Sequence, residues 1–235
     1  MFSAEAAHVF EVDAIAFDLD GTLLDTIHDQ AAAVNLWLVD EGFAPLPKDT
    51  IRDLVGKGMA NLLSRVLKLS GAPARDDAAM TALLLRYQQH YATVLGRETV
   101  AYPGVMDALA GLHAAGFKLA VVTNKATRFV RPHLEHAAMQ MYFASVVGGD
   151  DASAKKPDAA PLLLAAQQLG IAPARLLMVG DSANDIDAAR AAGCPALAVP
   201  YGYTEGRPVQ SFAADGIVDS LADLPQWVRR ARSPT

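Results

Sequence analysis

Two aspartates stand one residue apart at the end of an apolar run in AIAFDLDGTLLDT, residues 14–26, and a glycine and a threonine follow them. Like charges as close as Asp18 and Asp20 raise the cost of ionising each other, so the pair asks for a compensating charge or for a reaction that uses its protons. Two more polar clusters follow apolar runs: Thr123, Asn124 and Lys125 after KLAVV, and Asp181, Ser182 and Asp185 after LLMVG. Lys155 and Lys156 come just after a weaker run, SVVGG. Gathered in one pocket, Asp18, Asp20, Asp181 and Asp185 make a carboxylate cluster too costly to bury without a cation. Oxygen donors suit a hard cation, and Mg²⁺ held by a few carboxylates together with a substrate phosphate is the common case. No histidine or cysteine lies near these turns to bind zinc. The Thr123 hydroxyl, the Asn124 amide, the Lys156 ammonium and the N–H groups of the turns are donors suited to phosphate oxygens. Beside such a phosphate an aspartate can act as nucleophile through an aspartyl-phosphate. The second aspartate, two residues on, can protonate the leaving oxygen and then activate water.

These clusters meet only if their apolar runs are neighbouring strands of one sheet. AIAF ending at Phe17, KLAVVT ending at Thr123, RLLMVG ending at Gly180 and PALAVP ending at Pro200 are short and apolar without strict alternation. That pattern predicts strands covered on both faces. FASVVGG, residues 143–149, is a weaker fifth. Helical patterns lie between them: 104–116, a segment from Thr127 that Pro132 kinks or shortens, a segment ending at Gly170, and 182–193 with Ser182 as N-cap. Strand and helix alternate from about residue 100 onward, the pattern of a doubly wound parallel α/β sheet. In such a sheet ligands bind outside the carboxyl ends of the strands, where all the polar clusters fall. Residues 27–95 break the alternation with four helical patterns, which predicts a small all-helical unit inserted after the first strand.

Composition narrows the function further. A chain of 235 residues with 52% hydrophobic residues can bury a sizeable core, as one large domain or one domain with an insertion. The net charge of −6 argues against nucleic acid but not against an anionic substrate, because a bound cation reverses the local sign. MFSAEAAHVFEVD lacks the basic start and apolar core of a signal peptide, and no run reaches the length of a membrane span. A single cysteine, Cys194, permits no intramolecular disulfide and reads as a buried structural thiol. The expectation is a cytoplasmic protein that binds neither membrane nor nucleic acid. The tail RRARSPT reads as a solvated end.

Four stretches together resemble the haloacid dehalogenase-like hydrolase superfamily. FDLDGTLLDT is similar to its first motif in the phosphatase form, VVTNK to the second, KPDAAPLL to the third, and MVGDSANDIDAARAAG to the fourth. The third motif usually reads K-P-x-P; Ala159 replaces its second proline here, and the match selects Lys156 rather than Lys155. The resemblance implies a Rossmann-like core of residues 1–26 and 96–235 with a helical cap of residues 27–95. It implies Asp18 as nucleophile and Asp20 as general acid and base, with Thr123 and Lys156 holding the phosphoryl group. Asp18, the backbone carbonyl of Asp20, and Asp181 would bind Mg²⁺, with Asp185 supporting from behind. Within the superfamily LVGKGMANLLSRVL and DSANDIDAARAAGCPALAVPYGY resemble the bacterial phosphoglycolate phosphatases, which implies hydrolysis of 2-phosphoglycolate to glycolate and phosphate. Lys57 and Arg65, in the first of these stretches, are then candidates to read the substrate carboxylate; as plain surface charges they would do nothing. A phosphatase for another small metabolite such as a sugar phosphate, and a phosphomutase of the β-phosphoglucomutase type, share the motifs. A non-enzymatic binding protein on the same scaffold would have no need of all of them.

Overall fold

In the computed structural model, residues 9–230 are described. The chain runs through β1 (Phe10–Val12), β2 (Ala14–Phe17), β3 (Leu24–Asp25), α1 (Ile27–Asp40), α2 (Lys48–Arg52), α3 (Met59–Leu69), α4 (Asp77–Val94) and β4 (Val100–Ala101). It continues through α5 (Val105–Ala114), β5 (Lys118–Val122), α6 (Thr127–His136), β6 (Phe143–Val147), α7 (Ala160–Leu169) and β7 (Leu176–Gly180). It closes with α8 (Ala183–Ala192), β8 (Ala196–Ala198), β9 (Gly216–Ile217) and β10 (Val228–Arg230).

The five apolar runs do become strands of one parallel sheet, in the order β6-β5-β2-β7-β8-β9. Successive side chains of a strand point to opposite faces, and here each face has its own core. Ile15, Phe17, Leu119, Val121, Leu177 and Val179 pack toward α5 and α6. Ala14, Ala16, Ala120, Val122 and Met178 pack toward α7 and α8, and the small residues let those helices sit close. Burial on both faces explains why these runs do not alternate. Strand order reverses at β2, with β5 on one side and β7 on the other. A crevice forms outside such a reversal, and Asp18 and Asp20 follow β2 directly into it.

Helices α1–α4 form a separate layer with its own core, which includes Trp37, Ile51, Leu63, Tyr87 and Tyr91 and takes in Phe129 and Tyr203 from the sheet side. The chain enters this layer through β3 and returns through β4, and these two strands pair antiparallel. Asp29 of α1 fastens the return. Its Oδ2 accepts from Gly96 N–H at 2.8 Å and Thr99 Oγ1 at 2.7 Å, and its Oδ1 from Glu98 N–H at 2.9 Å. Asp29→Ala strands these donors, and each buried unpaired group costs about 1–3 kcal/mol. We expect that variant to lose at least about 2 kcal/mol in urea denaturation; wild-type stability would show that the clamp contributes nothing.

Three details differ from the sequence reading. Pro132 lies inside a continuous α6 and does not shorten it. The FEV and VRR segments pair as parallel strands β1 and β10, too short for any periodicity to announce. Arg229 and Arg230 belong to a strand, with both side chains exposed to solvent, and the rest of the tail, like residues 1–8, lies outside the described residues. Cys194 is buried, and burial pushes its thiol up to about 11, so it stays an unreactive thiol at neutral pH. Among the described residues no helix is long and apolar enough to cross a membrane.

Candidate active site

Asp18 continues the ladder of β2, its N–H donating to the Val179 carbonyl of β7 at 3.0 Å. The carboxylate therefore emerges at the carboxyl edge of the sheet, where Leu19 N–H donates to its Oδ1 at 2.7 Å. The chain then turns through Gly21 at φ +93°, and a Cβ there would collide with Asp181 Oδ2. Both the conformation and the space require glycine. Asp181 follows β7 and is held from two sides, by Thr22 Oγ1 at 2.7 Å and by Tyr203 N–H at 2.5 Å. Asp185 lies in the first turn of α8. Its Oδ2 accepts from Ser182 N–H at 3.0 Å and Ser182 Oγ at 2.7 Å, closing the helix N-terminus. Gly180 leaves the room its carboxyl group occupies.

Lys156 links these carboxylates. Its Nζ lies 2.6 Å from Asp185 Oδ1, 3.1 Å from Asp18 Oδ1 and 2.6 Å from the Val122 carbonyl, so its three protons are all engaged. Asn124 does not offer the free donor expected from the sequence. Its Oδ1 accepts from Lys156 N–H at 2.9 Å, and its Nδ2 donates to the Lys156 carbonyl at 2.9 Å and the Gly56 carbonyl at 3.0 Å. Both amide protons are used, so Asn124 braces the backbone of Lys156 and ties it to the helical layer. Thr123 is buried beside it and its Oγ1 accepts from Lys125 N–H at 3.2 Å, leaving the hydroxyl proton to donate.

Charge is out of balance in this pocket. Burial, then Asp185 and Asp20, push Asp18 up to about 6 although Lys156 pulls the other way. Burial, with Asp18 and Asp185, holds Asp181 well above the usual carboxylate range. Burial opposes the charge on Lys156, but Asp18 and Asp185 more than restore it and its pKa is raised. Asp20 goes the other way: burial would raise it, but the Lys125 ammonium, aided by the Thr26 hydrogen bond, brings it below its ordinary value. Four carboxylates face two ammonium groups, Lys125 and Lys156, which leaves two negative charges when all are ionised. Asp18, Asp181 and Asp185 each bring one carboxylate oxygen to within 4.8 Å of the others. An all-oxygen set with two uncompensated negative charges fits a hard dication.

A cavity of about 40 Å³ reaches Asp18 and Asp20 of these groups, while Asp181, Asp185 and Lys156 are not in its lining. Asp18, Asp20, Thr123 and Lys125 line it from the sheet, and Gln30, Met59, Leu62, Tyr87 and Tyr91 from the helical layer. Lys57 and Arg65 are not in its lining. Both face Glu205, with Lys57 Nζ at 3.0 Å and Arg65 NH1 at 3.6 Å from Oε2. Arg65 also donates to the carbonyls of Leu54 at 3.1 Å and Asp53 at 2.9 Å. Three participants were not singled out as site residues from the sequence. Lys125 stands next to Asn124 at a strand end and was legible by adjacency. Tyr91 and Glu205 carry no local signal, because each reaches its partners from a distant part of the chain.

Comparison with known proteins agrees with this geometry. A family model described as haloacid dehalogenase-like hydrolase matches residues 15–199. A phosphoglycolate phosphatase of Nitrosospira multiformis is 45% identical over 222 residues, covering 94% of this chain and 97% of the relative. A crystal structure described as a predicted phosphoglycolate phosphatase from Haemophilus somnus superposes with a TM-score of 0.87 at 31% identity, covering 92% of this chain and 97% of that one. CbbY from Rhodobacter sphaeroides, solved in complex with phosphate, superposes with a TM-score of 0.77 at 26% identity, covering 91% and 96%.

Proposed function

The chain belongs to the haloacid dehalogenase-like hydrolase family, and on that premise we propose that it is a Mg²⁺-dependent phosphatase that hydrolyses 2-phosphoglycolate through an aspartyl-phosphate on Asp18. The observation that carries the reading is Asp18 itself: a carboxylate lining a small cavity, with Lys156 at 3.1 Å and two more buried carboxylates beside it.

Asp18 Oδ attacks phosphorus, and the ester P–O bond breaks with its electron pair leaving on the substrate oxygen. Asp20 gives that oxygen a proton. Water then attacks the phosphorus of the aspartyl-phosphate and returns a proton to Asp20. The P–O bond to Asp18 breaks, restoring the carboxylate and releasing phosphate. Thr123 and Lys156 hold the phosphoryl oxygens, Lys156 by sharing the proton it now directs at Asp18. Asn124 keeps Lys156 in place. Asp18, Asp181 and the Asp20 carbonyl would hold Mg²⁺, which would supply charge compensation for the carboxylates and the phosphoryl oxygens. Asp185 fixes Lys156 from the side away from substrate. At rest the pair with Lys125 favours the Asp20 carboxylate; an incoming phosphate dianion raises its proton affinity by like-charge proximity.

Residues 27–95 act as a cap that covers the site and sets substrate choice. A small substrate is in line with the names of the relatives. Lys57 and Arg65 face Glu205 rather than the cavity that Asp18 lines, so either one reads a substrate carboxylate only if that carboxylate displaces Glu205. Steady-state kinetics on 2-phosphoglycolate, a hexose phosphate and p-nitrophenyl phosphate test both parts. Wild-type protein with Mg²⁺ is expected to prefer 2-phosphoglycolate. Arg65→Ala or Lys57→Ala is expected to lose about 2–4 kcal/mol in kcat/KM on 2-phosphoglycolate relative to p-nitrophenyl phosphate, the scale of breaking a desolvated charge pair. A preference for the hexose phosphate contradicts the substrate assignment. Equal losses on both substrates, or none, rule out these two residues as the readers.

A further inference from the structure

Tyr91 has no role in the steps above and Lys125 enters them only as the charge beside Asp20 at rest, yet together they form the buried support of that residue. Lys125 Nζ donates to both oxygens of Asp20, at 2.9 and 3.0 Å, and to the Tyr91 hydroxyl at 2.6 Å. An ammonium only donates. The Tyr91 oxygen must therefore accept from Lys125, and its own proton needs another acceptor. His133 Nε2 lies 2.8 Å from that oxygen. Burial first, and then the Lys125 charge, hold this imidazole neutral by lowering its pKa to about 3, so Nε2 is free to accept. Every bond in the chain then has a fixed direction: Lys125 gives two protons to Asp20 and one to Tyr91, and Tyr91 gives its proton to His133. The Tyr91 ring is itself packed against Tyr87 and Phe129, at centroid distances of 6.0 and 5.0 Å.

The members come from different parts of the fold. Asp20 follows β2, Lys125 follows β5, His133 lies in α6, and Tyr91 belongs to α4 of the helical layer. Tyr91 is the member that spans from the helical layer to the sheet. We propose that Lys125 and Tyr91 are positioning residues that fix the Asp20 carboxyl in the orientation used for proton transfer to the leaving oxygen, and that this orientation is complete only while the helical layer is seated on the sheet. The inference rests on the phosphatase reading.

A leaving-group comparison tests it. An alkyl phosphate such as 2-phosphoglycolate expels an oxygen that needs a proton, whereas p-nitrophenolate departs as a stable anion. Single-turnover rates of the first chemical step are measured on both substrates by rapid quench. Tyr91→Phe removes one oxygen and keeps the packed ring. It is expected to slow 2-phosphoglycolate about 10-fold more than p-nitrophenyl phosphate, a fraction of the usual 10²–10⁴-fold share of general acid catalysis. Lys125→Met is expected to widen the gap to about 10²-fold, and Lys125→Arg to recover part of it. Equal slowing of both substrates by Tyr91→Phe, or no slowing, overturns the proposal; because the ring is retained, this variant decides the matter even if Lys125→Met does not fold. Wild-type protein inert toward both substrates defeats the phosphatase reading itself, an outcome distinct from an active enzyme whose variants show no leaving-group dependence.

Discussion

Asp18→Asn is expected to abolish turnover and the covalent phosphoenzyme together while leaving the protein folded. The amide has no nucleophilic lone pair to match the carboxylate, so the loss should be on the order of 10⁴-fold or more in kcat. The amide oxygen still accepts from Leu19 N–H and Lys156, whose distances to Asp18 Oδ1 are 2.7 and 3.1 Å. The change also removes one of the like charges that hold Asp181 well above the usual range. The variant should therefore melt no lower than wild type in the absence of metal, which separates a chemical loss from a folding loss. A sample checked by sequencing and mass for deamidation that retains near wild-type activity would put the nucleophile elsewhere.

Removing Mg²⁺ is expected to have the second largest effect, and a pH dependence accompanies it. Activity should fall to background with a chelator and return with Mg²⁺, because two negative charges of the cluster otherwise face the incoming phosphate. Stability should respond in a defined direction. Without metal, Asp18 binds its proton more tightly folded than unfolded, at about 6 against the ordinary 3.8, and Asp181 shifts the same way. A raised carboxyl pKa favours the folded chain at low pH. That contribution is lost as pH rises from about 4 through 6, since the folded state then holds the proton that the unfolded state has released. Metal-free protein should thus lose stability across that window. Added Mg²⁺ should raise Tm more at pH 8 than at pH 5, because at pH 5 it must first displace protons. A Tm increment independent of pH, or activity indifferent to chelation, contradicts a metal held by these carboxylates. Asp181→Asn should show the same loss of Mg²⁺ response as chelation.

What the sequence made legible is what local chemistry dictates. The parallel sheet was readable because strands buried on both faces must be continuously apolar, as AIAF and LLMVG are. Asp18, Asp181, Asp185 and Lys156 could be placed together because each follows such a run, and the carboxyl edge of a parallel sheet collects whatever its turns carry. Asn124 shows the limit of that logic. Its type and place suit a phosphate donor, but its amide protons go to two carbonyls, and only the neighbouring chain decides that. Arg65 and Lys57 were recognisable as cations of the helical segment 27–95, yet their partner Glu205 comes from a loop after β8 with no pattern of its own. Tyr91 is one of two buried tyrosines on α4, and its contact with Lys125 depends on how that helix docks. The short strands β1, β3, β4 and β10 have two or three residues each, below the length at which a period can be read.

The covalent intermediate is the claim on which the other roles depend. Wild-type protein mixed with 2-phosphoglycolate and Mg²⁺, quenched in acid within a turnover and digested, should yield the peptide spanning residues 14–26 with the mass of one added phosphoryl group. Fragmentation should place that group on Asp18 and not on Asp20. An enzyme that turns over 2-phosphoglycolate but carries no phosphoryl group at any quench time, or carries it on another residue, contradicts nucleophilic catalysis by Asp18.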